Sequence, residues 1–175
     1  MKRLLKEMSP EERRLQSSVV CGKLRDHPRV REARRIGVYL AMPEEVQLQE
    51  VMEEWQQSKE VYLPYIEEGA AGMRFSRVRP EAELRSVSAK MPHLRQHSED
   101  SAQFLSDPLD VLIVPGLAFD RHRGRLGRGG GFYDAWIARA PPSTYKLAVC
   151  FRQQVVDDAL PMEEHDQRVD EVLFH

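Results

Sequence analysis

Residues 110–136 have the sequence DVLIVPGLAFDRHRGRLGRGGGFYDAW, which leads from a strand through a glycine- and arginine-rich loop into a helix. The first five residues, DVLIV, are apolar almost throughout, which is typical of a strand buried on both faces of a parallel sheet. We predict a helix over about residues 131–140, stopped by two consecutive prolines. Because ligands of open α/β sheets bind at the carboxyl ends of the strands, this loop is the predicted functional site.

Helical and extended patterns alternate on both sides of this stretch. Ser9 is a suitable N-cap, and Pro10 suits the first position of the helix that follows. A turn is predicted at residues 69–72, and irregular structure with short helices over residues 80–108. The predicted helices cover residues 9–24 and 48–55, and the predicted strands cover residues 35–40, 60–66, 73–78, 145–151 and 169–174. This alternation predicts one α/β domain over residues 1–175, a three-layer sandwich with a mainly parallel sheet.

Composition favours a protein that acts on small molecules. The 175 residues are 41% hydrophobic, which suits one core, and the net charge of −2 lacks the basic excess of nucleic-acid-binding proteins. The charged N-terminus predicts no signal peptide, and no apolar run is long enough for a membrane span. Cys21 and Cys150 lack metal-site spacing, so we expect buried reduced thiols. The expected compartment is the cytoplasm, with an organelle as the alternative.

The loop itself has the chemistry of an anion site. Glycines let the backbone approach a ligand closely, arginines bind phosphate oxygens, and the amides at a helix N-terminus favour anions. The loop lacks the Gly-Lys-Ser/Thr of a Walker sequence, so the phosphate hypothesis rests on this chemistry. The alternative is a flexible, solvated basic loop. The residues concerned are Arg121, Arg123, Arg125, Arg128, Gly129, Gly130 and Gly131.

Two carboxylates are candidate ligands for Mg²⁺, which needs only one or two from a protein. Asp134 closes the glycine-rich loop, and its alternative role is that of an ordinary aspartate in the first turn of a helix. Asp166 lies in an acidic turn before the last predicted strand. The alternative there is a solvated acidic surface, and the sequence does not choose among the acidic residues Glu163, Glu164, Asp166, Asp170 and Glu171.

A series of segments along nearly the whole chain resembles a known family. In order they are MSPEER, IGVYLAMPEEV, VYLP, VPGLAFD, GRLGRGGGFYD, LAVCFRQQ and EHDQRVDEVLF. This series resembles the 5-formyltetrahydrofolate cyclo-ligases, also called methenyltetrahydrofolate synthetases. The resemblance implies a fold similar to the NagB/RpiA/CoA-transferase group. It also implies an ATP- and Mg²⁺-dependent cyclisation of 5-formyltetrahydrofolate to 5,10-methenyltetrahydrofolate, with release of ADP and phosphate.

The resemblance further implies a set of site residues. The implied ATP contacts are Arg125, Leu126, Gly127, Arg128, Gly129, Gly130, Gly131, Phe132 and Tyr133. The implied folate contacts are Leu40, Glu45, Arg128, Gly129, Gly130, Gly131 and Phe132. Arg128 and Tyr133 are the implied catalytic residues, and Asp134 and Asp166 the implied Mg²⁺ ligands.

Some positions depart from the family pattern. Family members usually carry a basic Lys-x-x-Leu-Arg arm well before the serine that corresponds to Ser9, and this sequence leaves no room for that arm. Gly130 stands where some members have lysine, and Val46-Gln47-Leu48 replaces a more polar continuation after Glu45. The alternatives to a cyclo-ligase are a folate-binding pseudoenzyme or regulatory module, and a paralogue that uses the same ATP site for another substrate. We expect a monomer or a weak homodimer.

Overall fold

The computed structural model describes residues 1–66, 72–79, 84–88 and 91–175. The helices in these ranges are α1 (Lys2–Glu7), α2 (Pro10–Asp26), α3 (Pro28–Glu32), α4 (Gln49–Trp55) and α5 (Phe132–Ile137). The strands are β1 (Arg35–Gly37), β2 (Glu60–Ile66), β3 (Met73–Arg77), β4 (Leu84–Ser88), β5 (Met91–His97), β6 (Val111–Val114), β7 (Ala118–Asp120), β8 (Arg125–Leu126), β9 (Tyr145–Cys150), β10 (Val155–Val156) and β11 (Glu171–Phe174). Short 3₁₀ helices lie at Glu99–Ser101 and Arg152–Gln154.

A six-stranded sheet in the order β11-β9-β6-β1-β2-β3 forms the centre of the fold. Every neighbouring pair in it is parallel except β2 and β3. Ile36 of β1 pairs with Val61 of β2 on one side and with Val111 of β6 on the other. The prediction of a mainly parallel sheet is therefore confirmed, with β3 as an outer strand.

Both faces of this sheet are packed, because alternate strand residues point to opposite sides. Val111 and Ile113 of β6 belong to a core cluster that includes buried residues of α1, α2 and α4. Leu112 and Val114 belong to a second cluster, which includes Phe75 of β3 and Ile137 of α5. The predicted three-layer arrangement is confirmed, and the longest helix, α2, packs on the first face.

The longest helix, α2, has the predicted start. The Ser9 hydroxyl accepts a hydrogen bond from the Glu12 backbone N–H at 3.1 Å, and Pro10 occupies the first helical position. Val20 and Leu24 are fully buried on the face that packs against the sheet. The helix ends two residues beyond the predicted boundary, before Pro28.

The prediction of irregular structure with short helices for residues 80–108 is wrong for β4 and β5. These two strands pair antiparallel in a sheet of their own. The short 3₁₀ turn at Glu99–Ser101 and the irregular residues 102–108 agree with the prediction, whereas residues 80–83 and 89–90 lie outside the described ranges. Their sequences, LRSVS and MPHLRQH, lack the regular apolar alternation that indicates a strand. The two strands are defined by the pairing of their backbones, and their sequences carry no strong pattern that would predict it.

Several predicted boundaries are too long. β1 ends at Gly37, not residue 40, although the Val38 N–H still donates to the Tyr62 carbonyl at 2.8 Å. α5 ends at Ile137, not residue 140. The Arg139 and Ala140 N–H groups bond three residues back, so the chain tightens into a 3₁₀-type turn before the two prolines.

Both cysteines are free and buried, as predicted. Burial raises the pKa of Cys21 to about 11 and that of Cys150 to about 12, so both remain thiols at neutral pH. In the described ranges, no helix combines the length and apolar character needed to cross a membrane. The turn predicted at residues 69–72 falls outside those ranges, apart from its last residue.

Candidate functional site

A cavity of about 490 Å³ lies at the carboxyl ends of β1, β2 and β6. Leu40 and Glu45 line it from the segment after β1, Ile66 from the end of β2, and Pro115 from the segment after β6. Residues 125–134, the glycine-rich loop, form the opposite wall. The volume suits a small-molecule ligand, and the position is the sheet edge at which α/β folds bind ligands.

Asp120 shapes the hairpin that carries the loop. Its Oδ1 accepts hydrogen bonds from the backbone N–H groups of His122 and Gly124, both at 2.8 Å. Its Oδ2 accepts from the Leu160 N–H, also at 2.8 Å. This turn returns the chain antiparallel to β7, so Arg125 of β8 enters the cavity wall. The segment predicted as a plain loop therefore begins as a small sheet.

Two glycines give the loop its conformation. Gly129 and Gly131 have φ values of 98° and 64°, in the left-handed region that side chains disfavour. Gly131 directly precedes α5, which has only six residues. A helix this short contributes little through its dipole, so the arginine side chains carry most of the positive charge of the loop.

An ion pair joins the two sides of the cavity. Arg128 Nε donates to Glu45 Oε1 at 3.1 Å, and the two residues are 83 positions apart in the sequence. Glu45 Oε2 accepts from the Met42 backbone N–H at 3.0 Å. The Glu45 side chain is 7% exposed and that of Arg128 is 34% exposed. A buried acceptor thus faces a cation that retains access to solvent.

Burial dominates the electrostatics around Glu45. Burial raises the pKa of the Glu45 carboxyl above its ordinary value, although the Met42 N–H and Arg128 oppose the shift. Burial, with Glu45 as a second cause, also raises the pKa of Tyr133. Tyr133 therefore keeps its proton at neutral pH. Its hydroxyl oxygen is buried and has no hydrogen-bond partner among the described residues.

A second ion pair joins the two ends of the glycine-rich loop. Arg125 Nη2 donates to Asp134 Oδ2 at 2.6 Å, and Nη1 donates to the Pro115 carbonyl at 3.3 Å. Asp134 Oδ1 accepts from the Gln167 backbone N–H at 3.1 Å. The Arg125 side chain is 3% exposed, so its guanidinium faces the protein interior.

Comparison with known proteins identifies the family. The 5-formyltetrahydrofolate cyclo-ligase family matches this sequence over residues 1–175. The chain belongs to the 5-formyltetrahydrofolate cyclo-ligase family. It is 29% identical over 182 residues to the 5-formyltetrahydrofolate cyclo-ligase of Mus musculus, covering 99% of this chain and 89% of that protein. Its identity to the Escherichia coli K12 cyclo-ligase is 31% over 162 residues, covering 91% and 87%.

Solved structures of cyclo-ligases share the fold. The NMR structure of Aquifex aeolicus 5,10-methenyltetrahydrofolate synthetase matches with a TM-score of 0.80 at 29% identity, over 98% of this chain and 86% of that one. The Mycoplasma pneumoniae 5,10-methenyltetrahydrofolate synthetase matches with a TM-score of 0.75 over 99% and 94% of the two chains. At 15% identity, the second likeness supports the fold alone.

The site residues implied by the cyclo-ligase resemblance all line this one cavity. Leu40 and Glu45 lie on one side, residues 125–134 on the other, and Asp166 beside the end of the loop. Two of the four arginines in residues 121–128 do not line the cavity. Arg121 pairs with the exposed Asp157 at 2.6 Å, and Arg123 donates to the Asp170 carbonyl at 3.5 Å. The arginines of the cavity wall are Arg125 and Arg128.

The cyclo-ligase resemblance implies Mg²⁺, and the carboxylates can be tested for it. The described residues contain no cluster of three or more His, Cys, Asp or Glu side chains that could hold a metal ion. Asp134 and Asp166 nevertheless line the same cavity, and two carboxylates suffice for Mg²⁺ that keeps waters and binds phosphate oxygens. Asp166 Oδ2 accepts one bond, from the Glu163 N–H at 2.8 Å. Because a carboxylate oxygen has two lone pairs, both residues keep acceptor capacity, and the pair fits a site of this type.

Some cavity residues were not predicted. They are Tyr39, Met42, Pro64, Ile66, Met73, Gln96, Pro115, Gly116 and His165. Those that follow β1 and β6, and those at the carboxyl end of β2, could have been inferred from the ligand position typical of α/β sheets. Gln96 could not, since it comes from the unpredicted hairpin. Its amide donates to the Ile66 carbonyl at 3.0 Å and accepts from the Ile66 N–H at 2.8 Å, which attaches the hairpin to β2.

Proposed function

We propose that this chain catalyses the ATP-dependent cyclisation of 5-formyltetrahydrofolate to 5,10-methenyltetrahydrofolate, with release of ADP and phosphate. Family membership supports the reaction class. The observation that carries the proposal is the Arg128–Glu45 ion pair, in which a buried carboxylate and a cation of the glycine-rich loop meet across one cavity. The folate carries hydrogen-bond donors and ATP carries phosphates, so the cavity offers a complementary group to each.

Glu45 is the proposed contact for the pterin ring. The amide N–H and amino group on one edge of that ring are donors, and a carboxylate accepts from two donors at once. Glu45 is held by the Met42 N–H, which fixes its position in the segment after β1. Leu40 lines the same side of the cavity and would contact the ring through its apolar surface.

Arg128 is the proposed phosphate contact. Its partly exposed guanidinium can exchange Glu45 for phosphate oxygens without unfolding the loop. Gly129 and Gly131 have no side chains, so phosphates can approach the backbone amides closely. Residues 125–133 form this wall, with Leu126, Phe132 and Tyr133 supplying its apolar part.

The chemistry needs activation of a poor electrophile. Transfer of the γ-phosphoryl group to the formyl oxygen releases ADP and gives an iminium phosphate. Folate nitrogen N10 then attacks the formyl carbon and loses its proton to solvent, and the C–O bond breaks with loss of phosphate. Phosphoryl transfer depends on positioning and on stabilising the charge that develops, for which Arg128 and the loop amides are suited. The Tyr133 hydroxyl, protonated and unpartnered in the described structure, is a proposed donor to the reacting groups.

Mg²⁺ at Asp134 and Asp166 is part of the proposal. When bound, the ion would neutralise phosphate charge during the transfer. The contribution of the chain is to present two carboxylates on the cavity wall next to the loop that binds the phosphates.

Absorbance of the methenyl product tests the proposal. We expect turnover by the wild-type protein with ATP and Mg²⁺, and about a 10²-fold loss of kcat/KM for Arg128→Ala, which removes a donor to the transferring group. Arg121→Ala is the matched control, because this arginine lies just before the loop and pairs with exposed Asp157. Equal turnover by Arg128→Ala and Arg121→Ala would contradict the proposed role of Arg128.

A further inference from the structure

Arg125 and Arg128 lie three residues apart in one loop but have different surroundings. Arg128 is partly exposed and contacts a carboxylate across the cavity. Arg125 is almost completely buried, and its two terminal nitrogens donate to Asp134 Oδ2 and to the Pro115 carbonyl. Arg125 Nε is buried without a hydrogen-bond partner among the described residues, and only 3% of the side chain is exposed to a ligand in the cavity.

The loop is built around the Arg125 guanidinium. A Cβ atom added at Gly127 would lie 3.1 Å from Arg125 Nη1, so the glycine leaves room for the guanidinium. The ring of Tyr133, in the first turn of α5, has its centroid 5.7 Å from Arg125 Cζ. The side chain is therefore enclosed by its own loop and by the helix that follows.

Asp134 is held from two sides. Arg125 binds Oδ2 at 2.6 Å, and the Gln167 backbone N–H binds Oδ1 at 3.1 Å. Gln167 directly follows Asp166, so this carboxylate also ties the segment that carries Asp166 to the start of α5. Each Asp134 oxygen accepts one hydrogen bond from these partners, which leaves each a further lone pair.

We propose that Arg125 is a positioning residue, which fixes Asp134 and, through Gln167, the Asp166 segment so that both carboxylates face one divalent cation. In this assignment Arg128 contacts the phosphates and Arg125 does not. The inference rests on the proposed function. Hydrogen bonds to a metal-binding carboxylate fix its orientation, and their loss lowers metal affinity about 10- to 100-fold.

Binding of Mn²⁺ alone, followed by electron paramagnetic resonance, tests this assignment without catalysis. We expect Arg125→Lys and Arg125→Met to bind Mn²⁺ at least about 10-fold more weakly than the wild-type protein. Arg121→Met, the same change at the exposed arginine before the loop, should bind as the wild type does. A wild-type protein that binds no Mn²⁺, or Arg125 variants that bind it as tightly, would overturn the inference.

Nucleotide binding with and without metal separates a positioning role from a phosphate contact. In EDTA, Arg125→Lys should bind ADP as tightly as the wild-type protein, because Arg125 does not touch the phosphates. With Mg²⁺ present, the variant should lack most of the affinity that the ion adds to the wild type. A loss in EDTA as large as the loss in Mg²⁺ would identify Arg125 as a phosphate ligand and refute the proposal.

Folding and turnover complete the test. Arg125→Met leaves Asp134 without its buried partner, so circular dichroism of each variant must first show a native spectrum. If Arg125→Met does not fold, Arg125→Lys, which keeps the charge, decides the outcome. Normal turnover with unchanged Mn²⁺ binding in the variants would refute this inference alone. Mn²⁺ binding that depends on Arg125, in a wild-type protein without turnover, would refute the proposed function alone.

Discussion

The proposed function of Glu45 and the stability of the folded protein favour different protonation states of its carboxyl group. Its side chain is 7% exposed, and its charged hydrogen-bond donor among the described residues is Arg128, which is itself partly in water. Burial raises the pKa of Glu45 above the ordinary 4.5, so the folded protein disfavours the ionised form. The proposed contact with the pterin ring needs that ionised form. Binding sites often contain buried ionisable residues that lower the stability of the folded protein.

Replacing Glu45 by glutamine should therefore stabilise the protein and weaken folate binding. At about pH 7 the glutamine removes a buried charge, and thermal unfolding should occur at a higher temperature than in the wild type. Loss of charge-assisted hydrogen bonds worth about 1.5–3 kcal/mol should weaken folate binding about 10- to 100-fold. Calorimetry of unfolding and of folate binding measures both effects.

The pH dependence of this stabilisation follows from the raised pKa. The wild-type protein gains stability as the pH falls through the folded-state pKa of Glu45, and this gain is complete below the ordinary 4.5. The difference between Glu45→Gln and wild type should accordingly disappear in that acidic range. A glutamine variant that is less stable at neutral pH would contradict the account of Glu45 as a destabilising charge.

At the residue scale, the sequence predicted which residues line the cavity better than it predicted how their side chains are oriented. Glycine and arginine types indicated the loop, and Asp134 was expected at its end. The sequence did not show that Arg125 faces inward. Which carboxylate pairs with each of two nearby arginines depends on which side chain is buried, and burial is set by the fold. The backbone N–H of Gln167 on Asp134 had no sequence signal at all, since every residue except proline has such a donor.

The β7–β8 hairpin is the element that presents the glycine-rich loop, and Asp120 stabilises it. Burial would raise the pKa of Asp120, but the backbone N–H groups of Leu160, Gly124 and His122, with the charge of Arg168, together lower it below the ordinary 3.8. A carboxylate that accepts several N–H bonds is favoured in its charged form. One side chain thereby fixes the hairpin and the segment before the acidic turn.

Asp120→Asn should destabilise the protein by about 1–3 kcal/mol at neutral pH, because the amide NH₂ cannot accept a backbone N–H. Urea unfolding measures the loss. Since the folded-state pKa of Asp120 is lowered, its contribution is present above the ordinary 3.8 and is lost as the pH falls through the folded-state value. The difference between variant and wild type should shrink in that acidic range. An unchanged free energy of unfolding at neutral pH would show that the hairpin does not need this carboxylate.

Helices and strands were predicted correctly where the sequence carries a capping signal or a hydrophobic pattern. The Ser9 cap and the apolar β6 strand were clear from sequence, because local capping and continuous burial leave direct signals. The β4–β5 hairpin was missed since its strands are polar and lie outside the main sheet. β8 was missed because a two-residue strand is defined by its partner β7 and has no pattern of its own.

The whole molecule depends on a sheet that is covered on both faces. Leu112 and Ile113 are consecutive residues of β6, both fully buried, and they belong to different core clusters. The strand ends that form the cavity are held in register by this packing. The site therefore depends on both layers, although its residues come from loops.

Leu112→Ala and Ile113→Ala should each destabilise the protein by about 2–5 kcal/mol, as expected for a large residue removed from a packed core. Chemical denaturation of both variants measures the two losses in the free energy of unfolding. Losses of similar size would support equal packing of the two faces. A loss well below this range for Leu112→Ala alone would show that the face covered by α5 and β7 is loosely packed.

The most direct test of the central claim is the stoichiometry of the wild-type reaction. Purified protein is mixed with 5-formyltetrahydrofolate, ATP and Mg²⁺, and methenyl product and ADP are measured together, with each component omitted in turn. The account predicts one ADP for each methenyl product, and no product when ATP or the metal is left out. Methenyl formation without ATP, or ATP hydrolysis that does not depend on the folate, would contradict it.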